Sequence, residues 1–361
     1  MSSLYCLLLL CTAVYCLSID YGCIHFIKVF SSVDLILPRH FKIAIMVSSL
    51  FAHVVSALKN IRLPYQNFFK LSVKRRVWLL LPAVIGSIVL WSAIANPAQA
   101  YQVQILPARP SQGDTLSVVV QAEANSGAEP TVTVGDTTYT AFLLSGNRYR
   151  ALIPTSPNTT PGRMTLKVSG PEGDNNIAVN ISNRSFNTQY INLSPGRAGL
   201  EGTDEEFDRL DAFRALRTPE RYWNGPMAKP SNGYVSSAYG NQRYYNGVFA
   251  EGYYHRGVDY AAGNGSPIYA PAAGKIALVG RESAGFVLNG NTIGIDHGQG
   301  VTSVMIHLSG FAVNEGDTVQ QGQLIGYMGA TGFATGPNLH WGLFVNGVSV
   351  DPVPWRYGGV E

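Results

Sequence analysis

Hydrophobic and polar positions change period several times along the chain, and each change predicts a different element. An almost unbroken apolar run covers residues 77–95. From 101 to 185, short β-branched runs at 118–120, 131–134 and 164–168 carry two-residue character, the period at which side chains fall on opposite faces of a strand. Turn clusters at 111–114 and 157–162 separate these runs, which predicts a small antiparallel β-sandwich. In the linker, 186–232, Phe207, Leu210, Phe213 and Leu216 recur at helical spacing. Thr203 with Glu206 reads as a capping box and Pro219 as a stop, so a helix over about 203–218 should lay one apolar stripe on its neighbour. From 233 to 355 the runs at 292–296, 302–306 and 323–327 read as successive antiparallel strands, with Gly298, Gly300, Gly316, Gly322 and Gly329 at the expected turns. The fold class expected is mainly β, an antiparallel domain preceded by a sandwich and a linker helix.

Charge changes the picture of the N-terminus. The first 100 residues hold nine of the 26 Lys and Arg but two of the 23 Asp and Glu, leaving 17 basic and 21 acidic groups beyond them. That balance, about −4, argues against nucleic acid as a partner, since phosphate binding needs a basic face. Lys74-Arg75-Arg76, the apolar run and Ala98-Gln99-Ala100 together have the layout of a secretory signal cleaved after Ala100. Left uncleaved, residues 74–100 would serve instead as a membrane anchor, the run of about 19 residues being long enough to span. Residues 1–73 are then an atypical extension, and translation is expected to begin nearer Met46. All four cysteines, Cys6, Cys11, Cys16 and Cys23, precede residue 24. A cysteine-free remainder is compatible with export to the periplasm or cell envelope.

Candidate chemistry is confined to the C-terminal third. Beyond residue 100 the histidines are His255, His297, His307 and His340, all within 86 residues. His255 and Asp259, four apart, offer an imidazole nitrogen and a carboxylate oxygen suited to zinc, with Gly257 between them allowing close approach. In a strand starting near Leu339, Asn338 and His340 project to the same side. His307 belongs to another strand, and His297, before a turn, reads as structural.

In order and spacing these elements resemble the lysostaphin/LytM-type zinc endopeptidases, the M23 peptidase family. The family pattern is His-x3-Asp, a later His-Leu, and His-x-His after Thr-Gly-x-x-Thr-Gly-Pro. Here it is met by His255 and Asp259, by His307-Leu308, and by Thr331-Gly332, Thr335-Gly336-Pro337 and His340. Gly265-Ser266-Pro267 and the glycines at 316 and 322 also match. The resemblance implies one Zn2+ held by His255, Asp259 and His340, a fourth place left for water, and His307 as a non-ligand histidine that orients or deprotonates that water. It implies peptidoglycan stem or cross-link peptides as substrate; residues 101–185, which hold no histidine, read as a spacer or docking module with envelope proteins as partners. Asn338 stands where members carry His, and Met305 where Tyr is frequent. Asn can donate a hydrogen bond but carries neither proton nor charge. The alternative is therefore a weakened LytM-type binding protein or regulator that activates other wall hydrolases.

Overall fold

The computed structural model describes residues 102–122, 129–170 and 173–358. The expected extension and the signal or anchor lie outside the described residues. Among those described, no helix is long and apolar enough to cross a membrane.

The first strands are β1 (Gln102–Leu106), β2 (Thr115–Gln121), β3 (Thr131–Val134) and β4 (Thr137–Thr140). After them come β5 (Phe142–Ser145), β6 (Arg148–Pro154), β7 (Gly162–Gly170) and β8 (Gly173–Ile181). They form two four-stranded sheets, β1-β2-β6-β5 and β4-β3-β7-β8. Leu116, Val118, Val132, Ile153, Leu166 and Ile181 fill the space between them. In β7 burial alternates as expected, with Leu166 and Val168 inside and Thr165 and Lys167 outside. In β2 and β6 it does not: residues 115–120 and 150–154 are buried throughout. Continuous burial means that both faces of a strand are covered. The second cover is the C-terminal part of the chain, whose core takes in Leu152. Arg150 stacks 5.1 Å over the Trp223 ring and donates to Gln299 Oε1 at 2.9 Å, and Trp355 Nε1 donates to Thr115 Oγ1 at 3.1 Å.

The linker holds β9 (Thr188–Ile191), α1 (Pro195–Ala198) and α2 (Asp204–Arg214). Helix α2 stops four residues before the expected end. Arg217 donates to the carbonyls of Arg214 and Leu216, supplying partners at the helix end well before Pro219. Only half of the expected capping box forms. Thr203 Oγ1 accepts from the Glu206 N–H, but the Glu206 carboxylate turns inward and accepts from the N–H groups of Leu288 and Asn289. The buried stripe of α2 is accordingly Glu206, Leu210 and Phe213, while Phe207 stays 45% exposed. Leu210 and Phe213 pack on Leu278, Val304 and Ile306 of the sheet that follows and on Phe286 in one of its connections.

The C-terminal part opens with β10 (Tyr234–Ser237), β11 (Gln242–Tyr245), β12 (Val248–Phe249) and β13 (Val258–Ala261). Next are β14 (Pro267–Tyr269), β15 (Gly274–Gly280), β16 (Asn291–Gly298) and β17 (Val301–Phe311). It closes with β18 (Thr318–Val319), β19 (Leu324–Met328), β20 (Asn338–Val345), β21 (Val348–Val350) and α3 (Pro352–Trp355). Ten of these strands make one antiparallel sheet in the order β10-β13-β20-β17-β16-β15-β18, with β14, β19 and β21 paired off this path. Gly298, at φ +87°, makes the expected tight turn between β16 and β17. Gly329 does not mark a turn of that kind. A Cβ there would lie 2.4 Å from the Ser309 nitrogen, so close packing is what demands glycine. A smaller sheet, β12-β11-β9, has β9 parallel to β11 and ties the linker to this part.

Candidate metal centre

Strands β13 and β20 are neighbours, and their register sets Asp259 opposite His340. His255 sits in the irregular segment leading into β13. Its Nδ1 lies 2.8 Å from the Ala238 carbonyl, which can only accept, so Nδ1 carries the proton and Nε2 presents a lone pair. That Nε2 is 2.9 Å from Asp259 Oδ1 and 2.9 Å from His340 Nδ1, and the latter two atoms are 2.8 Å apart. Three electron-pair donors thus face one point, and at most one shared proton offsets their mutual repulsion. Two imidazole nitrogens and one carboxylate oxygen suit a borderline cation such as zinc, so the donor set fits the expected ion. Gly257 makes the approach possible: a Cβ on it would lie 2.8 Å from the His340 ring and 2.3 Å from the Trp341 carbonyl oxygen.

The electrostatics follow from burial and proximity. Burial alone would raise the Asp259 carboxyl, but its close contacts with the His255 and His340 imidazoles outweigh burial and hold the group well below the usual range. Burial lowers the His255 imidazole, against the pull of Asp259. Arg243 on β11 reaches the oxygen that the imidazoles leave aside, its Nη2 lying 3.3 Å from Asp259 Oδ2.

His307 lies in β17 with φ +70°, in the left-handed region that strand residues avoid. The strand's register with its neighbours shifts nearby, so the backbone twist re-aims this side chain out of the ladder. Its N–H donates to the Asn289 carbonyl at 3.0 Å. Its Nδ1 donates to the Thr331 carbonyl at 2.9 Å, which leaves Nε2 as an acceptor. Burial, with a smaller push from His340, lowers the imidazole to about 4, so it is neutral at pH 7. Asn338 opens β20, and its Nδ2 donates to the Gly336 carbonyl at 2.8 Å.

His255, Asp259, His307, Asn338 and His340 all line one cleft of about 940 Å³. His297 does not line it. Buried elsewhere in the sheet, His297 donates from Nδ1 to the Ala273 carbonyl and accepts from the Ser303 hydroxyl at Nε2. Sequence reasoning missed Arg243, Tyr245, Tyr253 and Asn289, which share the cleft wall. It also missed the part Glu206 plays, since nothing in Thr203-x-x-Glu206 signals that the carboxylate holds the Leu288–Asn289 backbone on which His307 hangs.

The cleft thus gathers two imidazoles and a carboxylate able to hold one metal ion, with a third imidazole beside them. The sequence model of Peptidase family M23 matches residues 253–352, and the chain carries a peptidase domain of that family. The DD-carboxypeptidase/endopeptidase Mpg of Neisseria meningitidis serogroup B is 44% identical over 99 residues, 27% of this chain and 22% of that protein. The glycyl-glycine endopeptidase ALE-1 of Staphylococcus capitis is 40% identical over 106 residues, 28% of each chain. The chain thus spans between a fifth and a third of the length of these relatives. A crystal structure of a putative peptidase M23 from Pseudomonas aeruginosa superposes with a TM-score of 0.53 at 28% identity, covering 70% of this chain and 96% of that one.

Proposed function

We propose that the protein is an exported zinc-dependent endopeptidase that hydrolyses peptide cross-links of bacterial peptidoglycan. The observation that supports this most is the convergence of His255 Nε2, Asp259 Oδ1 and His340 Nδ1 beside His307 in one cleft. His255, Asp259 and His340 hold the ion, which when bound supplies Lewis-acid polarisation of the scissile carbonyl. Arg243 keeps Asp259 turned so that Oδ1 faces the imidazoles. The neutral His307 accepts a proton at Nε2 from the attacking water and returns it to the leaving amine. Asn338 spends one amide hydrogen on Gly336 and keeps the other for the oxygen on which negative charge develops. The substrate class follows from relatives named as endopeptidases of peptidoglycan or of glycyl-glycine bonds. Residues 74–100 deliver the chain to the envelope as signal or anchor. Envelope protein partners of residues 101–185 would meet the outer face of the β3, β4, β7 and β8 sheet, since the opposite side of the sandwich is taken.

Asn338 favours a second reading, a binding protein or regulator with a weakened site. Dye release from labelled murein separates the two. The hydrolase releases dye, and His307→Ala abolishes release while zinc stays bound. Zinc bound without release, with release gained in Asn338→His, would favour the regulator.

A further inference from the structure

Beside the metal cleft lies a second cavity of about 470 Å³, and Asp211, Arg214, Arg256 and Phe344 line both. Arg217 completes a set of three guanidinium groups there, against one carboxylate, Asp211. Arg217 is engaged at the end of α2, where it donates to two carbonyls. The other two lie over aromatic rings, a contact that does not use up the N–H groups of a guanidinium. Arg214 stacks 4.9 Å over the Phe344 ring. Its single ion pair, to Asp211, is 3.3 Å long, and its Nε is buried with no hydrogen-bond partner among the described residues. Arg256, the residue after His255, stacks over Tyr253 and Tyr254 at 5.8 and 6.0 Å. No hydrogen bond or ion pair to its guanidinium is found among the described residues. A pocket two charges in excess thus adjoins the cleft of a chain that is otherwise acidic beyond residue 100.

We infer that this arginine pocket is a substrate subsite that takes a carboxylate of the peptide being cut. The inference rests on the peptidase reading for the identity of its ligand. The two cavities are adjacent, with Asp211, Arg214, Arg256 and Phe344 lining both, so a group on a peptide bound in the metal cleft lies next to the pocket. A carboxylate matches the planar fork of a guanidinium and gains a charge-assisted pair that an amide does not. Burial and the neighbouring Arg256 charge lower the Arg214 guanidinium, and a bound anion would relieve that strain. The subsite would therefore select stem peptides with free carboxylates over amidated ones.

Fluorescence anisotropy tests this on the purified full chain, with a labelled murein tetrapeptide in free-acid form and with its carboxylates amidated. The expected result is binding about tenfold or more tighter for the free acid. That preference should shrink in Arg256→Gln and vanish in Arg214→Gln/Arg256→Gln, with melting temperature and zinc content of both variants close to the unaltered protein. Equal affinity for the two forms, or a preference that survives in the double variant, overturns the subsite. Hydrolysis of the same peptides is scored separately. Preference without hydrolysis upholds the subsite and refutes the endopeptidase, and hydrolysis without preference does the reverse.

Discussion

His297 illustrates how a histidine can be spent on structure. Trp341 Nε1 donates to Ser303 Oγ, Ser303 donates to His297 Nε2, and His297 Nδ1 donates to Ala273. The chain of bonds is complete only with a neutral imidazole, and burial lowers that imidazole from 6.5 to about 4. Between those two values the unfolded chain binds a proton that the folded chain does not, so stability rises with pH. The contribution is fully present above about pH 6.5 and is lost as pH falls toward 4, about 3 kcal/mol in all. Urea unfolding at pH 7 and pH 4.5 should show a shallower pH dependence in His297→Gln than in the unaltered protein. An unchanged slope would contradict this account. Gly257 is the other decisive single position. In Gly257→Ala the new Cβ would lie 2.3 Å from the Trp341 carbonyl oxygen, so strand β20 must move. We expect a loss of about 2 kcal/mol and weaker zinc retention by chelator competition, whereas Gly263→Ala, with only Ser266 Oγ at 3.9 Å, should change neither. Such residues were legible because their chemistry comes at fixed spacing: His255, Asp259, Asn338 and His340 are read from a few positions each. Arg243 was not, since an arginine among tyrosines carries no spacing signal and comes beside Asp259 because β10, the strand just before it, pairs with β13.

At the scale of elements, helix α2 positions the site without touching the candidate ligands. The Glu206 carboxylate is fully buried and accepts from Leu288 N–H, Asn289 N–H and Asn289 Nδ2. Asn289 in turn accepts the His307 N–H. Glu206→Ala leaves those donors buried and unpaired, so chemical denaturation should report a loss of about 3 kcal/mol. Murein hydrolysis should fall more than zinc binding, because His307 loosens while the three metal-facing side chains do not. Thr203→Ala, removing only the N-cap bond, should cost about 1 kcal/mol. Equal losses in the two variants would show that Glu206 acts only on the helix start. The helix itself was readable from its apolar period, and the choice of Glu206 over Phe207 for burial was not. A glutamate three residues after a threonine fits a capping box equally well whether its side chain turns back or inward. The left-handed twist at His307 was likewise hidden, since a bulge leaves no mark on the local pattern of Met305-Ile306-His307-Leu308.

Over the whole molecule, the sandwich and the peptidase part behave as one packed body. Both faces of β2 and β6 are buried, Leu152 belongs to the C-terminal core, and Arg150, Thr115 and Asn346 bond across the junction. Calorimetry should therefore record one cooperative unfolding transition for residues 101–361, and two separate transitions would contradict this. The run at 118–120 read as an alternating strand, and a sequence does not say what covers a strand's second face, so the sandwich read as a separate module. The central claim concerns the convergence of His255, Asp259 and His340 on one cation, and metal analysis tests it most directly. After zinc loading and exhaustive dialysis, the purified chain should retain one zinc ion, as should His307→Ala and Asn338→Ala, while His255→Ala, Asp259→Ala and His340→Ala come through empty. A wild-type chain free of zinc, or a His340→Ala chain that holds it as firmly, would contradict the account.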